Sequence, residues 1–253
     1  MKDTSRFSRR GGKGHAPGKG QGGAEIIYGR NAVLEAVHAG NRKFQEILVL
    51  PQHHDEMFES SSGIPLRVLQ KPDLDRITST DNHQGIAARV SAYPYAELKD
   101  LYPLPCVVLL DGVEDPQNFG SIIRTAHALA DAGIVIPEHR SASVTPSVVK
   151  ASSGATELTK IARVKNLRSA AQELKKSGFW IVGLEAHAQQ DITRTPRFDK
   201  IGLVLGGEDT GIRPVMASEL DLEVSIPMKG SFNSLNVAHA AAIALYELTA
   251  RGK

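Results

Sequence analysis

The second half of the chain alternates short apolar runs with segments of helical periodicity, and few folds accommodate this order. A continuous apolar run such as 106–110 is typical of a strand buried on both faces, as in a parallel sheet covered by helices. The order therefore predicts an α/β fold with a parallel sheet, and ligands are expected beyond the carboxyl ends of its strands. The predicted strands are 106–110, 133–136, 179–184, 201–205 and 222–226, and the predicted helices are 121–130, 167–176 and 237–249.

Residues 24–93 predict a separate, small α/β domain. Asn31 suits the N-cap of its first helix, and Gly40 is well placed to end that helix. Three prolines fall within 94–105, which is therefore predicted to be a linker to a second domain at 106–253. The further elements predicted for the small domain are strands at 46–50, 65–69 and 84–90 and a helix at 73–77.

The 253-residue chain has a formal net charge of only +2, but this charge is unevenly distributed. Residues 1–23 hold six basic side chains, one acidic side chain and seven glycines, whereas the rest of the chain holds 24 basic and 27 acidic side chains. Such a segment buries too little apolar surface to offset the entropy of ordering, so a disordered basic arm is predicted. A +5 arm attracts polyanions, nucleic acid above all; a solubilising tail or a cloning remnant is the alternative.

Cysteine content and hydropathy exclude several classes of protein. Cys106 is the only cysteine, which excludes an intrachain disulfide and a cysteine-ligated zinc site. No run approaches about 18 apolar residues and no signal-peptide pattern is present, so a cytoplasmic protein is expected. The nine histidines are scattered, so no metal site is expected. The absence of a serine-hydrolase elbow disfavours hydrolase chemistry, and the absence of a phosphate-binding loop disfavours nucleotide triphosphatase chemistry.

The first loop that can carry chemistry follows the first apolar run and leads into a helix. Asn118 and Ser121 are natural cap residues for that helix. Arg124 lies near the positive N-terminal end of the helix, where a structural cation is disfavoured and a phosphodiester would compensate it. The alternative is an ion pair of Arg124 with Glu114 or Asp115.

The second loop, residues 206–211 (Gly-Gly-Glu-Asp-Thr-Gly), follows the run at 201–205. Its three glycines allow the main chain to fold tightly around a flat ligand such as adenine. The glycine spacing differs from Gly-x-Gly-x-x-Gly, so a nicotinamide oxidoreductase loses its main support. Glu208 is expected at the carboxyl edge of the sheet, and its structural alternative is to cap a helix that begins near Pro214.

The third loop places four small polar side chains ahead of the last helix: Ser231, Asn233, Ser234 and Asn236. One of them must cap that helix, but four exceed what a cap requires. Neutral donors and acceptors of this kind suit the orientation of a sugar hydroxyl or a cofactor carboxylate.

Taken in this order, the three loops resemble the three motifs of the SpoU/TrmH family of RNA ribose 2′-O-methyltransferases. Each motif alone is weak, but the ordered set is highly specific. The motif residues are 118–124 (Asn-Phe-Gly-Ser-Ile-Ile-Arg), 205–212 (Leu-Gly-Gly-Glu-Asp-Thr-Gly-Ile), and 226–230 with 234–238 (Ile-Pro-Met-Lys-Gly and Ser-Leu-Asn-Val-Ala). Segments 27–36, 83–86, 150–155, 164–167 and 178–180 are similar to the RlmB-type branch, which methylates a guanosine ribose in large-subunit (23S) rRNA.

The resemblance implies a SPOUT fold, whose parallel sheet carries a deep trefoil knot, although knotted chains are rare exceptions to the rules of topology. It also implies that the N-terminal domain is an L30e/L7Ae-like RNA-binding module. Because the family is homodimeric, an active site can combine residues of two subunits.

The resemblance further implies S-adenosylmethionine as the cofactor, bound in a bent shape against the loops. It implies cofactor contacts at Gly206, Ile226 and Leu235, and functional roles for Asn118, Arg124, Glu208, Ser234 and Asn236. Because a guanidinium with a pKa above about 12 is a poor base, we expect Arg124 to hold a phosphate and to stabilise the developing alkoxide. Ser234 and Asn236 are expected to orient the ribose or the cofactor, and Asn118 and Glu208 to hold the loops.

Three other functions remain open from the sequence. A non-catalytic rRNA-binding or ribosome-assembly factor would keep the fold without the chemistry. A nucleotide-dependent oxidoreductase is disfavoured by the missing glycine fingerprint. The same methyl transfer on tRNA is the alternative that differs least from 23S rRNA methylation.

Overall fold

The computed structural model describes residues 24–61, 63–139, 141–208, 210–230 and 234–250. The arm predicted at 1–23 lies outside these residues, as do Ser231 and Asn233 of the third loop.

The N-terminal part of the described chain contains four strands and three helices. They are β1 (Glu25–Tyr28), α1 (Arg30–Ala39), β2 (Phe44–Val49), α2 (His54–Ser60), β3 (Leu66–Val68), α3 (Lys71–Thr78) and β4 (Ile86–Val90). The strands form a mixed sheet in the order β1-β4-β2-β3. β1 and β2 run antiparallel to β4, and β3 runs parallel to β2.

Three features of this part differ from the sequence prediction, and one is the strand β1, which was not predicted. Asn31 is not the N-cap of α1, because the helix begins at Arg30 and is preceded by Gly29, whose φ of 102° favours glycine. α2 was not predicted, since His54–Ser60 shows no apolar periodicity. Gly40 ends α1 in the left-handed conformation, as predicted.

The described residues of the C-terminal part form seven strands and five helices. They are β5 (Cys106–Asp111), α4 (Pro116–Ala130), β6 (Gly133–Pro137), α5 (Pro146–Ala151), β7 (Ile161–Val164), α6 (Leu167–Lys176), β8 (Trp180–Leu184), β9 (Gln190–Asp191), β10 (Ile201–Gly206), α7 (Pro214–Ala217), β11 (Leu222–Ser225) and α8 (Val237–Leu245). All neighbouring strands are parallel, in the order β7-β6-β5-β10-β8-β11-β9. The predicted parallel sheet is confirmed; the knot depends on the path of the whole chain and stays a prediction.

Alternate residues of β5 belong to two different cores. Val108 and Leu110 share one core with α4, α5 and α8, whereas Val107 and Leu109 share the other with α6 and α7. Helices therefore cover both faces of the sheet, as the unbroken apolar strands require. The core on the α4 face continues without interruption into the N-terminal sheet, where it includes Ile27.

The start of α4 lies further toward the N-terminus than predicted. Asp115 is its N-cap, with Oδ1 accepting a hydrogen bond from the backbone N–H of Gln117 at 3.1 Å, and Pro116 occupies the first helical position. Asn118 and Ser121 are consequently within the helix, and the prediction that they cap it is wrong.

Neither β7 nor α5 was predicted. The last helix also ends earlier, at Leu245, and is followed by a π-helical turn.

The segment 94–105 packs against the large sheet. The backbone N–H of Ala96 donates to the carbonyl oxygen of Ile161 in β7 at 2.9 Å. A short 3-10 helix follows at Leu98–Leu101, with a reciprocal cap between Glu97 and Asp100, and the Leu101 side chain is fully buried. No helix in the described ranges combines the length and apolar character needed to cross a membrane.

Candidate active site

The three predicted loops meet at the carboxyl edge of the large sheet. β5 and β10 are hydrogen-bonded neighbours, and β8 separates β10 from β11. β5 leads into α4, which carries Asn118; β10 leads into the loop with Glu208; and β11 leads toward α8, which follows Asn236. Because parallel strands end at one edge and these three strands lie close together in the sheet, the three loops meet there.

Side-chain hydrogen bonds join the three loops directly. Oε1 of Glu208 accepts from Nδ2 of Asn118 at 2.7 Å and from Nδ2 of Asn236 at 3.0 Å. Nδ2 of Asn236 also donates to Oδ1 of Asn118 at 2.9 Å. These three residues are separated by up to 118 positions, so each bond fixes one loop relative to another.

Asn236 has a second role as the N-cap of α8. Its Oδ1 accepts from the backbone N–H groups of Ala238 at 3.0 Å and His239 at 3.4 Å. The prediction that one polar residue of the third loop caps this helix is therefore confirmed, and the same side chain uses its amide nitrogen to hold the other loops. A cap residue of this kind contributes about 1 kcal/mol to helix stability.

Two adjoining cavities open beside this cluster. The first, of about 160 Å³, is lined by the predicted residues Gly206, Glu208, Ile226, Ser234 and Leu235 together with Leu184, Glu185, Ala186, Leu205, Gly207, Gly211, Met228, Val237 and Ala240. The second, of about 310 Å³, is lined by Gly112, Val113, Glu114, Asp115, Asn118, Gly207, Glu208, Thr210, Arg213 and Val237. Glu208 lies on the wall between the two cavities, because it lines both.

The glycines of the second loop permit a very close backbone approach. A Cβ atom on Gly206 would lie 2.1 Å from the carbonyl carbon of Gly211. The N–H of Gly207 donates to the carbonyl oxygen of Asp111 at 3.0 Å, and the N–H of Gly211 donates to that of Gly207 at 2.9 Å. The loop thus folds back on itself, as the glycine spacing predicts, and exposes backbone to the first cavity.

Arg124 lies apart from both cavities. Its side chain is exposed on α4, and Nη1 donates to Oγ of Ser153 at 3.2 Å. Among the described residues, no ion pair joins Arg124 to Glu114 or Asp115, so the structural alternative for Arg124 is wrong. Its expected phosphate contact stays a prediction.

Glu208 does not cap the next helix. Its carboxylate faces Asn118 and Asn236, and the residue before α7 is Arg213, with Pro214 in the first helical position as predicted.

Sequence reasoning missed an ion pair formed by Arg213, which lines the second cavity, with Asp111. Asp111, the last residue of β5, is fully buried, and its Oδ2 accepts from the backbone N–H of Arg213 at 2.8 Å. The guanidinium of Arg213 donates to Oδ1 through Nε at 2.7 Å and through Nη2, and this contact raises the pKa of Arg213. An acidic residue that ends an apolar run is the pattern that would have indicated it.

Glu185 was also missed, although it directly follows β8 at the same edge. Its Oε1 accepts from the backbone N–H of Ile212 at 2.8 Å, and the residue lines the first cavity. Within the described residues, no group of three His, Cys, Asp or Glu side chains is arranged to hold a metal ion.

Comparison with known proteins agrees with this geometry. Residues 105–246 match the SpoU rRNA Methylase family, and residues 26–96 match a domain described as RNA 2′-O ribose methyltransferase substrate binding. The putative TrmH family tRNA/rRNA methyltransferase YacO of Bacillus subtilis (strain 168) is 36% identical in an alignment of 236 residues, and the match covers 88% of this chain and 94% of the relative.

Solved structures resemble the whole fold. The SpoU methyltransferase AviRb from Streptomyces viridochromogenes, in complex with AdoMet, superimposes with a TM-score of 0.76 at 26% identity over 89% of both chains. A putative RNA methyltransferase of the TrmH family from Porphyromonas gingivalis gives a TM-score of 0.74 at 28% identity over 90% of both chains. With the catalytic family model covering more than half of its residues, the chain belongs to the SpoU family of RNA methyltransferases.

Proposed function

We propose that the protein transfers a methyl group from S-adenosylmethionine to the ribose 2′-oxygen of a guanosine in 23S rRNA. The observation that carries this proposal is the hydrogen-bonded cluster Asn118–Glu208–Asn236 beside the first cavity, since it unites the three motif loops. Family membership and the AdoMet-bound AviRb relative support the chemistry. Similarity to the RlmB-type branch supports guanosine in 23S rRNA as the target.

The residues of the first cavity fit this cofactor. Ile226 and Leu235 offer apolar surface for the adenine, and the Gly206 backbone offers its N–H and C=O groups. Glu185 and Ser234 supply a carboxylate and a hydroxyl for the polar parts of the molecule. S-adenosylmethionine, when bound, supplies an electrophilic methyl group on a positively charged sulfur.

The protein's own residues then act by orientation and by handling one proton. Asn118, Glu208 and Asn236 fix the loops around the reacting ribose, and such orientation is worth several kcal/mol of barrier. The 2′-hydroxyl proton leaves to phosphate or water, because the Arg124 guanidinium is too weak a base to take it. Arg124 lies apart from both cavities of its own chain, so in the proposed homodimer it acts at the site of the other subunit, where it holds a phosphate and stabilises the alkoxide as it forms. Ser234 orients the ribose or the cofactor.

The proposal includes the rest of the molecule. Residues 24–93 bind the RNA substrate, 94–105 connect the domains, and 106–253 form the catalytic domain. The basic arm at 1–23 captures RNA without sequence preference. The protein acts in the cytoplasm as a homodimer of knotted SPOUT domains.

Mapping ribose methylation in total RNA from cells that lack this protein tests the substrate. Loss of one guanosine mark in 23S rRNA, restored by the wild-type gene and not by Asn236→Ala, is the expected result. A mark lost from tRNA would assign the same chemistry to tRNA. An unchanged map would contradict methyltransferase activity and favour a non-catalytic assembly factor.

Substitution of Arg124 by Lys tests the assigned role of that residue. Lysine keeps the charge but loses the planar fork that binds phosphate through two N–H groups, so turnover should fall at least tenfold. Near-normal turnover in a single-turnover assay would remove Arg124 from the phosphate-binding role.

A further inference from the structure

A buried ion pair crosses the boundary between the two sheets. Arg42 lies between α1 and β2, and Glu157 ends a short 3-10 helix after α5. Nε of Arg42 donates to Oε2 of Glu157 at 3.1 Å, and Nη2 lies 3.0 Å from Oε1. The two side chains are 0% and 1% exposed, so solvent does not reach the contact.

Neighbouring groups hold this pair from both sides. Nη1 of Arg42 donates to Oε2 of Glu25 at 2.9 Å, and the guanidinium lies over the Tyr93 ring at 5.1 Å from its centre. The Tyr93 hydroxyl donates to the carbonyl oxygen of Thr156 at 3.0 Å. Nδ2 of Asn41 donates to the carbonyl oxygen of Glu157 at 2.9 Å. Residues of the N-terminal part thus bind both the backbone of the 155–159 segment and the Glu157 carboxylate.

Such a pair is a weak source of stability. Moving two charges out of water costs several kcal/mol per ion, and apolar side chains of similar volume are often as stabilising. In agreement, burial raises the pKa of Glu157, and the attraction of Arg42 only partly offsets this effect. A buried charged pair with directed hydrogen bonds can instead favour one geometry over others.

The pair is connected to the candidate site through tightly packed elements. Glu157 follows the turn at Ser152 and Gly154, and a Cβ on Gly154 would lie 2.6 Å from Cβ of Glu35 in α1. On the other side, a Cβ on Gly120 of α4 would lie 2.9 Å from the backbone nitrogen of Ser152. The turn is therefore wedged between the N-terminal domain and the helix that carries Asn118.

We propose that Arg42 and Glu157 are positioning residues that fix the N-terminal domain in one orientation on the catalytic domain. This inference rests on the proposed function, because its purpose is to bring the ribose of RNA held by one domain to the site of the other. A displacement of about 1 Å at a reacting atom can lower turnover about a hundredfold. The pair would thus act on turnover without contacting cofactor or ribose.

The test is the double variant Arg42→Met/Glu157→Met in the full chain. Spin labels on Gln52→Cys and Lys176→Cys, one exposed position in each domain, report the interdomain distance by pulsed electron resonance. Cys106 can remain, because burial raises its pKa to about 12 and keeps it unreactive. We expect a broader distance distribution, turnover on 23S rRNA transcripts reduced at least tenfold, and S-adenosylmethionine and RNA affinities within about twofold of wild type.

Glu25→Gln is the matched control. It removes a partly exposed partner of the same guanidinium and should leave the distribution unchanged. A double variant with a distribution as narrow as that of wild type would overturn the inference. If the double variant does not fold, the same distance measurement is made on Glu157→Gln, which removes the charge but preserves the shape of the side chain. A distance distribution as narrow as that of wild type in this variant would also overturn the inference. The distance measurement does not depend on methylation. It therefore tests the role of Arg42 and Glu157 even if the proposed function is wrong.

Discussion

Two of the long-range polar clusters among the described residues, each containing a glutamate, lie in opposite surroundings. At the domain interface, Arg42 and Glu157 are sealed from solvent. At the candidate site, Asn118 is half-buried while Glu208 and Asn236 are exposed. Burial makes a polar contact costly to break, which suits a permanent joint, whereas exposure lets a contact exchange with water or ligand. The two clusters should therefore respond differently to the same kind of substitution.

The largest effect is expected for Glu157→Ala. It leaves the Arg42 guanidinium buried without its main partner, which should lower the free energy of unfolding by about 3–5 kcal/mol. Urea denaturation followed by circular dichroism measures this loss. The matched change Glu208→Ala removes an exposed carboxylate and should cost less than about 1 kcal/mol. Equal losses for the two variants would remove the distinction between the clusters.

Gly206→Ala is expected to have the next largest effect. The new Cβ would meet the Gly211 carbonyl carbon at 2.1 Å, so the loop must shift. Overpacking of this kind costs about 1–3 kcal/mol, and the displaced loop should abolish cofactor binding. Calorimetric titration with S-adenosylmethionine checks the second effect. Wild-type affinity would show that the loop does not form the cofactor site.

Asn236→Ala and Asn118→Ala separate capping from catalysis. Loss of the α8 cap should cost about 1 kcal/mol in the Asn236 variant, and the Asn118 variant should stay closer to wild type in stability. Both variants lose bonds that join the loops, so both should lower methyl transfer by tenfold or more. Single-turnover kinetics with matched thermal denaturation curves test this pair. If turnover follows only the change in stability, the cluster has a structural role alone.

The smallest effect is a pH dependence of stability from Glu157. Its folded pKa is raised above the ordinary value of 4.5, so the folded state binds the proton more tightly than the unfolded chain. The stabilisation that this tighter proton binding gives the folded state is fully present below pH 4.5 and is lost as the pH rises through the raised pKa. Wild type should thus lose unfolding free energy relative to Glu157→Gln as the pH increases above 4.5, in urea denaturation at a series of pH values. A constant difference would contradict the raised pKa.

The sequence predicted what local patterns determine. Apolar runs revealed five of the seven strands described in the large sheet, and the order of those strands in the sheet brings Asn118, Glu208 and Asn236 to one edge. Pro214 correctly marked the start of a helix. The cap of α4 was misplaced, because several polar residues there suit the role and only the fold selects Asp115.

Pairs between distant positions could not be predicted in the same way. Arg42 and Glu157 are 115 residues apart, and neither lies in a pattern that distinguishes it from a surface charge. Glu185 and Asp111 likewise acquire their contacts only when the sheet brings separate loops together. Burial of a charge is a property of the folded chain, which explains why the meeting of the three motif loops could be anticipated and the Arg42–Glu157 pair could not.

Under the proposed function, the packed segment 94–105 also bears on how often RNA held by residues 24–93 would meet the candidate site. If a flexible linker joined the two domains, a ligand bound to one domain would meet the other at a millimolar effective concentration, and this concentration would fall as the linker lengthens. Here Ala96 is hydrogen-bonded to the edge strand β7 and Leu101 is buried, so the segment does not act as a flexible linker. The volume that bound RNA would have to explore is then limited to the local motion of the RNA itself. In the proposed methyltransferase, the connection would thereby replace a diffusive encounter with a fixed delivery distance, and the length of RNA that spans this distance would act as a ruler for choosing the target nucleotide.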